Sequence, residues 1–156
     1  MDFFPIKKIT INISSENSDT FSKLKSSTEH SDKLITTLTS KPFIGQVTDN
    51  SFKIISSKIG IGAIAVFQFD SNKNKNEIYV TLNKAFKILF LFFVSFISIG
   101  VIIGIIQTGI PKGLILFIPF IFGVLMFRFV LIGVAFKVST NLGEKALNKV
   151  IGVIKN

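Results

Sequence analysis

Ile88-Leu89-Phe90-Leu91-Phe92-Phe93-Val94-Ser95-Phe96-Ile97-Ser98-Ile99-Gly100-Val101-Ile102-Ile103-Gly104-Ile105-Ile106 carries no charge and no proline. Wound as a helix at 1.5 Å per residue, this run is about 28 Å long, close to the hydrocarbon thickness of a bilayer. A second apolar run, Gly113 to Phe136, follows the connector Gln107-Thr108-Gly109-Ile110-Pro111-Lys112 and holds a single charge, Arg128. The pair predicts a transmembrane helical hairpin over residues 86–136, with helices at about 86–106 and 113–136. The rest of the 156-residue chain is long enough for one modest domain.

Charge is placed around these runs rather than spread over the chain. The formal net charge is +9, and residues 1–85, the tail 137–156, and the trio Lys87, Lys112 and Arg128 each supply a third of it. Lysines beside apolar spans set membrane orientation, so Lys84 and Lys87 before the first run and Lys137 after the second are expected as interface anchors. Only Lys112 lies in the connector, which predicts both termini on the cytoplasmic side. Met1 to Lys8 lacks the apolar core of a secretory leader. Residues 1–85 are therefore expected to stay cytoplasmic, with Ile88–Ile106 as an uncleaved insertion signal. Eighteen phenylalanines stand against one tyrosine and no tryptophan, so snorkelling lysines replace the usual aromatic belt. A nucleic-acid partner is not expected, because the basic residues flank apolar runs instead of forming a patch beside aromatics. The chain has no cysteine, which excludes disulfides, thiolate nucleophiles and Cys-ligated metals.

Residues 1–85 read as a small α+β domain. Ile9, Ile11 and Ile13 alternate with polar neighbours and fall on one face of a strand. Ser15 or Ser18 can cap a helix that turns Phe21 and Leu24 inward. Residues 32–40 fit either a helical turn through Leu34, Ile35 and Leu38 or an extended Thr-rich segment, the latter preferred. Phe43 to Val47 and Phe52 to Ser56, joined by Asp49-Asn50, read as a hairpin. Ile59 to Phe69 reads as a longer strand with Ile61, Ala63, Ala65, Phe67 and Phe69 on one face. Ile78, Val80 and Leu82 align on the last strand. It ends so close to the first apolar run that the domain should be seated on the membrane rather than loosely tethered. In the tail, Asn141 and Glu144 have capping-box spacing, and Leu142, Ala146, Val150 and Val153 or Ile154 share a helical face. That amphipathic helix is expected to pack on the cytoplasmic domain, since an antiparallel sheet needs a layer over its apolar face. Lying on an anionic bilayer is its alternative placement.

Phe43-Ile44-Gly45-Gln46-Val47-Thr48-Asp49-Asn50-Ser51-Phe52-Lys53-Ile54 resembles the Gly-x-Val, turn, Phe-x-Ile hairpin of small uncharacterised bacterial membrane proteins. Glu77 to Asn83 running into an apolar helix is similar as well. The resemblance covers the layout of most of the chain but only about a dozen residues of specific motif. Where those proteins carry an Arg-Asn pair and a proline, this chain has Ser57-Lys58-Ile59-Gly60 and Ala63. The resemblance implies an architecture only and lends no activity; the expected location of the chain is a bacterial plasma membrane.

Candidate chemistry is sparse. His30 is the only histidine, near Glu29 and Asp32, and reads as a solvated side chain rather than a metal ligand. No serine lies in a Gly-x-Ser-x-Gly turn, and Gly60-Ile61-Gly62 reads as a tight bend before a strand rather than a nucleotide loop. Gly100 and Gly104 form a GxxxG, expected to pack against the second helix through Gly123 and Gly133, or else against a second copy. Arg128 is an intramembrane charge with no acid in either run to meet it. It is expected to snorkel to the cytoplasmic headgroups; a lining role in an ion pathway is the alternative. No cofactor, metal or catalytic residue is expected. The chain reads as an integral membrane α+β protein: a small antiparallel sheet with one or two helices, the transmembrane hairpin, and the C-terminal amphipathic helix. Its expected role is a non-enzymatic, membrane-seated binding or accessory module. Its partners are the lipid bilayer and a protein or lipid, and homo-oligomers are open to it. The alternative is a small oligomeric channel or membrane-permeabilising protein.

Overall fold

The computed structural model of the chain describes residues 3–11, 17–72, 77–109, 115 and 117–152. It divides into two units, one comprising Met1–Asn83 with Ala135–Asn156 and the other Lys84–Val134.

Period-two alternation builds the first unit. Its strands are β1 (Ile6–Thr10), β2 (Thr28–His30), β3 (Phe43–Val47), β4 (Ser51–Ser56), β5 (Ala65–Asp70) and β6 (Glu77–Leu82). They form one six-stranded sheet in the order β1-β6-β5-β4-β3-β2. Phe52 and Ile54, Phe67 and Phe69, and Ile78, Val80 and Leu82 are buried on one face. The helix α1 (Asn17–Ser26) covers part of that face with Phe21 and Leu24. The Phe21 ring lies 6.4 Å from that of Phe52 and 6.0 Å from that of Phe69, which stack on each other at 5.6 Å.

The sheet is α+β as expected, but not wholly antiparallel. Short β2 runs parallel to β3, Thr28 opposite Phe43 and His30 opposite Gly45. Residues 32–40 form neither a helix nor a strand. The long strand expected from Ile59 is also shorter, because β5 begins at Ala65. A Cβ on Gly62 would fall 2.2 Å from the Ser56 carbonyl oxygen and 2.6 Å from that of Lys58, so the chain turns tightly there. Gly60, at φ +84, takes the left-handed backbone this bend requires. Ile13, Ser15, Val153 and Ile154 lie outside the described residues.

The second unit begins with α2 (Lys84–Thr108). Gly109 closes it at φ +79, its amide donating to the Ile105 carbonyl at 2.9 Å. Helical structure resumes as α3 (Phe117–Met126), passes through a π-helical segment (Phe127–Ile132) and continues as α4 (Gly133–Ile151). Pro119 is tolerated because it sits in the first turn of α3, where an amide has no intrahelical acceptor. Phe127 stacks on Phe93 at 4.6 Å and meets Phe90 at 5.7 Å, joining α2 to the π segment. Lys84–Gln107 and Phe117–Ile151 are long and apolar enough to cross a membrane. Only 6% and 11% of the residues in their most apolar stretches are buried, unlike core helices of a soluble protein.

The second helix does not restart at the Asn141–Glu144 spacing. Asn141 lies inside unbroken helix, and Glu144 instead makes an ion pair with Lys7 of β1. Within the first unit α4 shares the apolar face of the sheet with α1. Its buried residues are Phe136, Ser139, Thr140, Gly143 and Leu147. Leu142, Ala146 and Val150, expected at the centre of that stripe, flank it half-buried. The Ser139 hydroxyl accepts the Ala65 amide at 3.0 Å.

Candidate functional site

The helices leave the other face of the sheet open at its middle. One row of that face is closed: Ile44, Ile55 and Val66 form a buried cluster under Leu34 and Ala63. The next row is polar across five strands. Gln46 stands opposite Lys53, Lys53 opposite Gln68, Gln68 opposite Tyr79, and Tyr79 opposite Lys8. Directly opposed residues share a face, so the five side chains line up across the sheet. Asp32 extends the row, accepting a hydrogen bond from the Gln46 amide at 2.7 Å.

A shallow cavity of about 300 Å³ opens over this row, bordered by Gln46, Thr48, Lys53, Gln68, Asp70 and Tyr79. Thr48 and Ser51 share a 2.8 Å hydrogen bond that orders the β3–β4 turn at its border. The Lys8 ammonium sits 5.0 Å from the Tyr79 ring centroid and 3.2 Å from a Glu77 carboxylate oxygen. A hydrogen bond with Tyr79, followed by the Glu77 contact, holds the Lys8 pKa above its ordinary value. The Lys8 contact, and then Tyr79, holds the Glu77 carboxyl below its own. Two carboxamides beside an ammonium offer donors and acceptors for a polar ligand with an anionic group. Binding of such a ligand is a chemistry this set supports.

The residues singled out in the sequence lie elsewhere. His30 is exposed on β2, and Glu29 is engaged with Lys41 at 3.8 Å. Among the described residues, no three His, Cys, Asp or Glu side chains are grouped to hold a metal. A Cβ on Gly100, Gly123 or Gly133 would meet no atom within 4 Å, whereas the Phe127 ring contacts Phe90 and Phe93 and joins α2 to the π segment. Gly104 is half-buried. Arg128 is 9% exposed, within the π segment, its guanidinium 5.2 Å from the Phe129 ring centroid. Lys84 and Lys137 are exposed and Lys87 is half-buried.

The polar row was not singled out in the sequence, although its signal was present. Lys8, Gln46, Lys53, Gln68 and Tyr79 are the outward alternates of strands whose inward residues are apolar. No family model matches the chain, and neither a curated protein nor a solved structure matches it.

Proposed function

We propose that the chain is a non-enzymatic binding or accessory module of a bacterial plasma membrane. In this reading α2 and the apolar part of Phe117–Ile151 span the bilayer and both termini are cytoplasmic. The sheet recognises its partner through the polar row. The single observation that carries the reading is that row: five strands present Gln46, Lys53, Gln68, Tyr79 and Lys8 in register over a shallow cavity. A sheet whose far face is already covered by two helices gains nothing in core burial from ordering polar side chains there. The row therefore suits recognition, with Lys53, between Gln46 and Gln68, as the anchor for an anionic group.

The membrane part of the reading rests on two helices of spanning length with apolar surfaces, and on lysines at the edges of their apolar stretches. A photo-crosslinking side chain in place of Gln68, in the full chain expressed in its native membrane, tests the recognition surface. A discrete adduct at position 68 that is lost in Lys53→Glu is the expected result. No adduct, or the same adduct from a probe at exposed Asn50, would overturn it.

A further inference from the structure

Exposed apolar side chains of the sheet-bearing unit gather at one end of the strands. The most exposed large ones are Leu38 at 90%, Ile59 at 68%, and Ile35 and Phe3 at 58%. Strand register places them. Ile6 pairs with Thr81, so Phe3 precedes β1 at the end where β6 finishes. Ala65 pairs with Leu82, so the 57–64 turn that carries Ile59 lies at that end too. The segment carrying Ile35 and Leu38 is fixed to the same place by Asn83. The Asn83 carboxamide donates to the Leu34 carbonyl at 2.9 Å and to the Ala63 carbonyl at 2.8 Å. Its backbone amide donates to the Ile64 carbonyl at 2.9 Å.

The opposite end has a different chemistry. It carries Asp49-Asn50, Asp70-Ser71-Asn72 and Glu77, with the Ser71 amide bonded to the Asn50 carbonyl. Acids thus collect at one end. Exposed Lys58 accompanies the apolar side chains at the other, where Glu29 is engaged with Lys41.

We infer that the end of the sheet bearing Phe3, Ile35, Leu38 and Ile59 is a lipid-contacting surface. These side chains enter the headgroup–acyl boundary of an anionic bilayer, while Lys58 meets lipid phosphates. The inference rests on the membrane-seated reading and names the partner of a second surface. Chain continuity selects lipid over a protein partner: Asn83, which ties both apolar segments together, is followed directly by Lys84, where the first spanning-length helix starts. Apolar side chains flanked by lysines are the composition that binds an anionic interface.

The absence of cysteine permits a direct test. The full chain is reconstituted into vesicles of phosphatidylglycerol and phosphatidylcholine, with an environment-sensitive fluorophore on Leu38→Cys, Ile59→Cys, Asn72→Cys or Phe96→Cys. Labels at 38 and 59 should show blue-shifted emission, quenched by nitroxides held at shallow depth in the lipid. The label at 72 should remain water-like, and that at 96 should be quenched by deep nitroxides. Lys58→Glu should reduce the quenching at 38 and 59. Water-like emission at 38 and 59 with a deep label at 96 would overturn the inference and leave the membrane reading standing. Water-like emission at 96 would bring down the membrane reading itself.

Discussion

A Cβ placed on Gly143 of α4 would lie 2.3 Å from two ring carbons of Phe67 on β5. Helix and sheet therefore meet at a separation that only glycine allows. Phe67 is 1% exposed and its ring has little space to yield. Overpacking of this kind costs about 1–3 kcal/mol. Alanine would recover up to about 1 kcal/mol through helix propensity, which makes Gly143→Ala the milder change. Gly143→Val should lower the melting temperature of the purified protein clearly, and Phe67→Leu should restore part of the loss in the double variant. Additive losses would show that the two residues do not press on each other.

The Lys8, Tyr79 and Glu77 cluster gives a titration prediction. The Glu77 carboxyl is held below its ordinary value, chiefly by Lys8 and then by Tyr79. A lowered carboxyl contributes stability at pH above its unfolded pKa, and the contribution fades as pH falls through the folded one. Lys8 is raised, chiefly by Tyr79 and then by Glu77, so its share is present below its unfolded pKa and lost as pH rises through the folded one. NMR titration of the Glu77 carboxyl should give a midpoint below the ordinary glutamate value, and Lys8→Met should move it upward. An unchanged midpoint in Lys8→Met would remove Lys8 as the cause.

The strands of the first unit were legible because large apolar residues alternate in them, as in Phe52 and Ile54 or Ile78, Val80 and Leu82. The same rule misled at Ile59 to Ala63, where alternation continues but Gly62 sits against backbone oxygens and the chain turns. Thr28-Glu29-His30 carries no strand pattern at all. Its parallel pairing follows from α1 delivering the chain beside β3, a tertiary effect that a three-residue polar string does not encode. The contact face of α4 was misread because its centre is small: Ser139 bonds the sheet and Gly143 admits Phe67, whereas the eye follows Leu142, Ala146 and Val150. The Asn141–Glu144 spacing resembled a helix start, yet Glu144 serves Lys7 across 137 residues of sequence. The polar row needed strand register, which joins residues from Lys8 to Tyr79 that no local window contains.

Membrane topology is open to a labelling experiment of the same kind. Lysines border the apolar stretches of the two spanning-length helices at 84, 87 and 137, while Lys112 alone lies in the intervening connector. The positive-inside rule predicts an outward connector and an inward sheet. An impermeant thiol reagent on intact cells should modify Thr108→Cys and spare Ser71→Cys until the membrane is permeabilised. The reverse pattern would invert the topology.

Arg128 separates the binding-module reading from a channel. A charge at the centre of a spanning helix costs about 2.5–3.5 kcal/mol to insert. A side chain that merely reaches the headgroups needs length and charge, and lysine would serve equally. Here the side chain is 9% exposed, and its guanidinium lies 5.2 Å from the Phe129 ring centroid, a geometry suited to the planar cation. The π turn around it is a further local irregularity, and such turns recur where a helix serves a role beyond spanning. Arg128→Lys should therefore destabilise the detergent-solubilised protein, by about 0.5–2 kcal/mol if the ring contact is lost. A silent Arg128→Lys would support headgroup snorkelling instead. Arg128→Leu should insert into membranes at least as well as the natural chain. Purified protein in liposomes should pass no anion current. A reproducible anion flux that Arg128→Leu abolishes or inverts would replace the binding module with a channel, because only a charge lining the conduction path sets selectivity in that way.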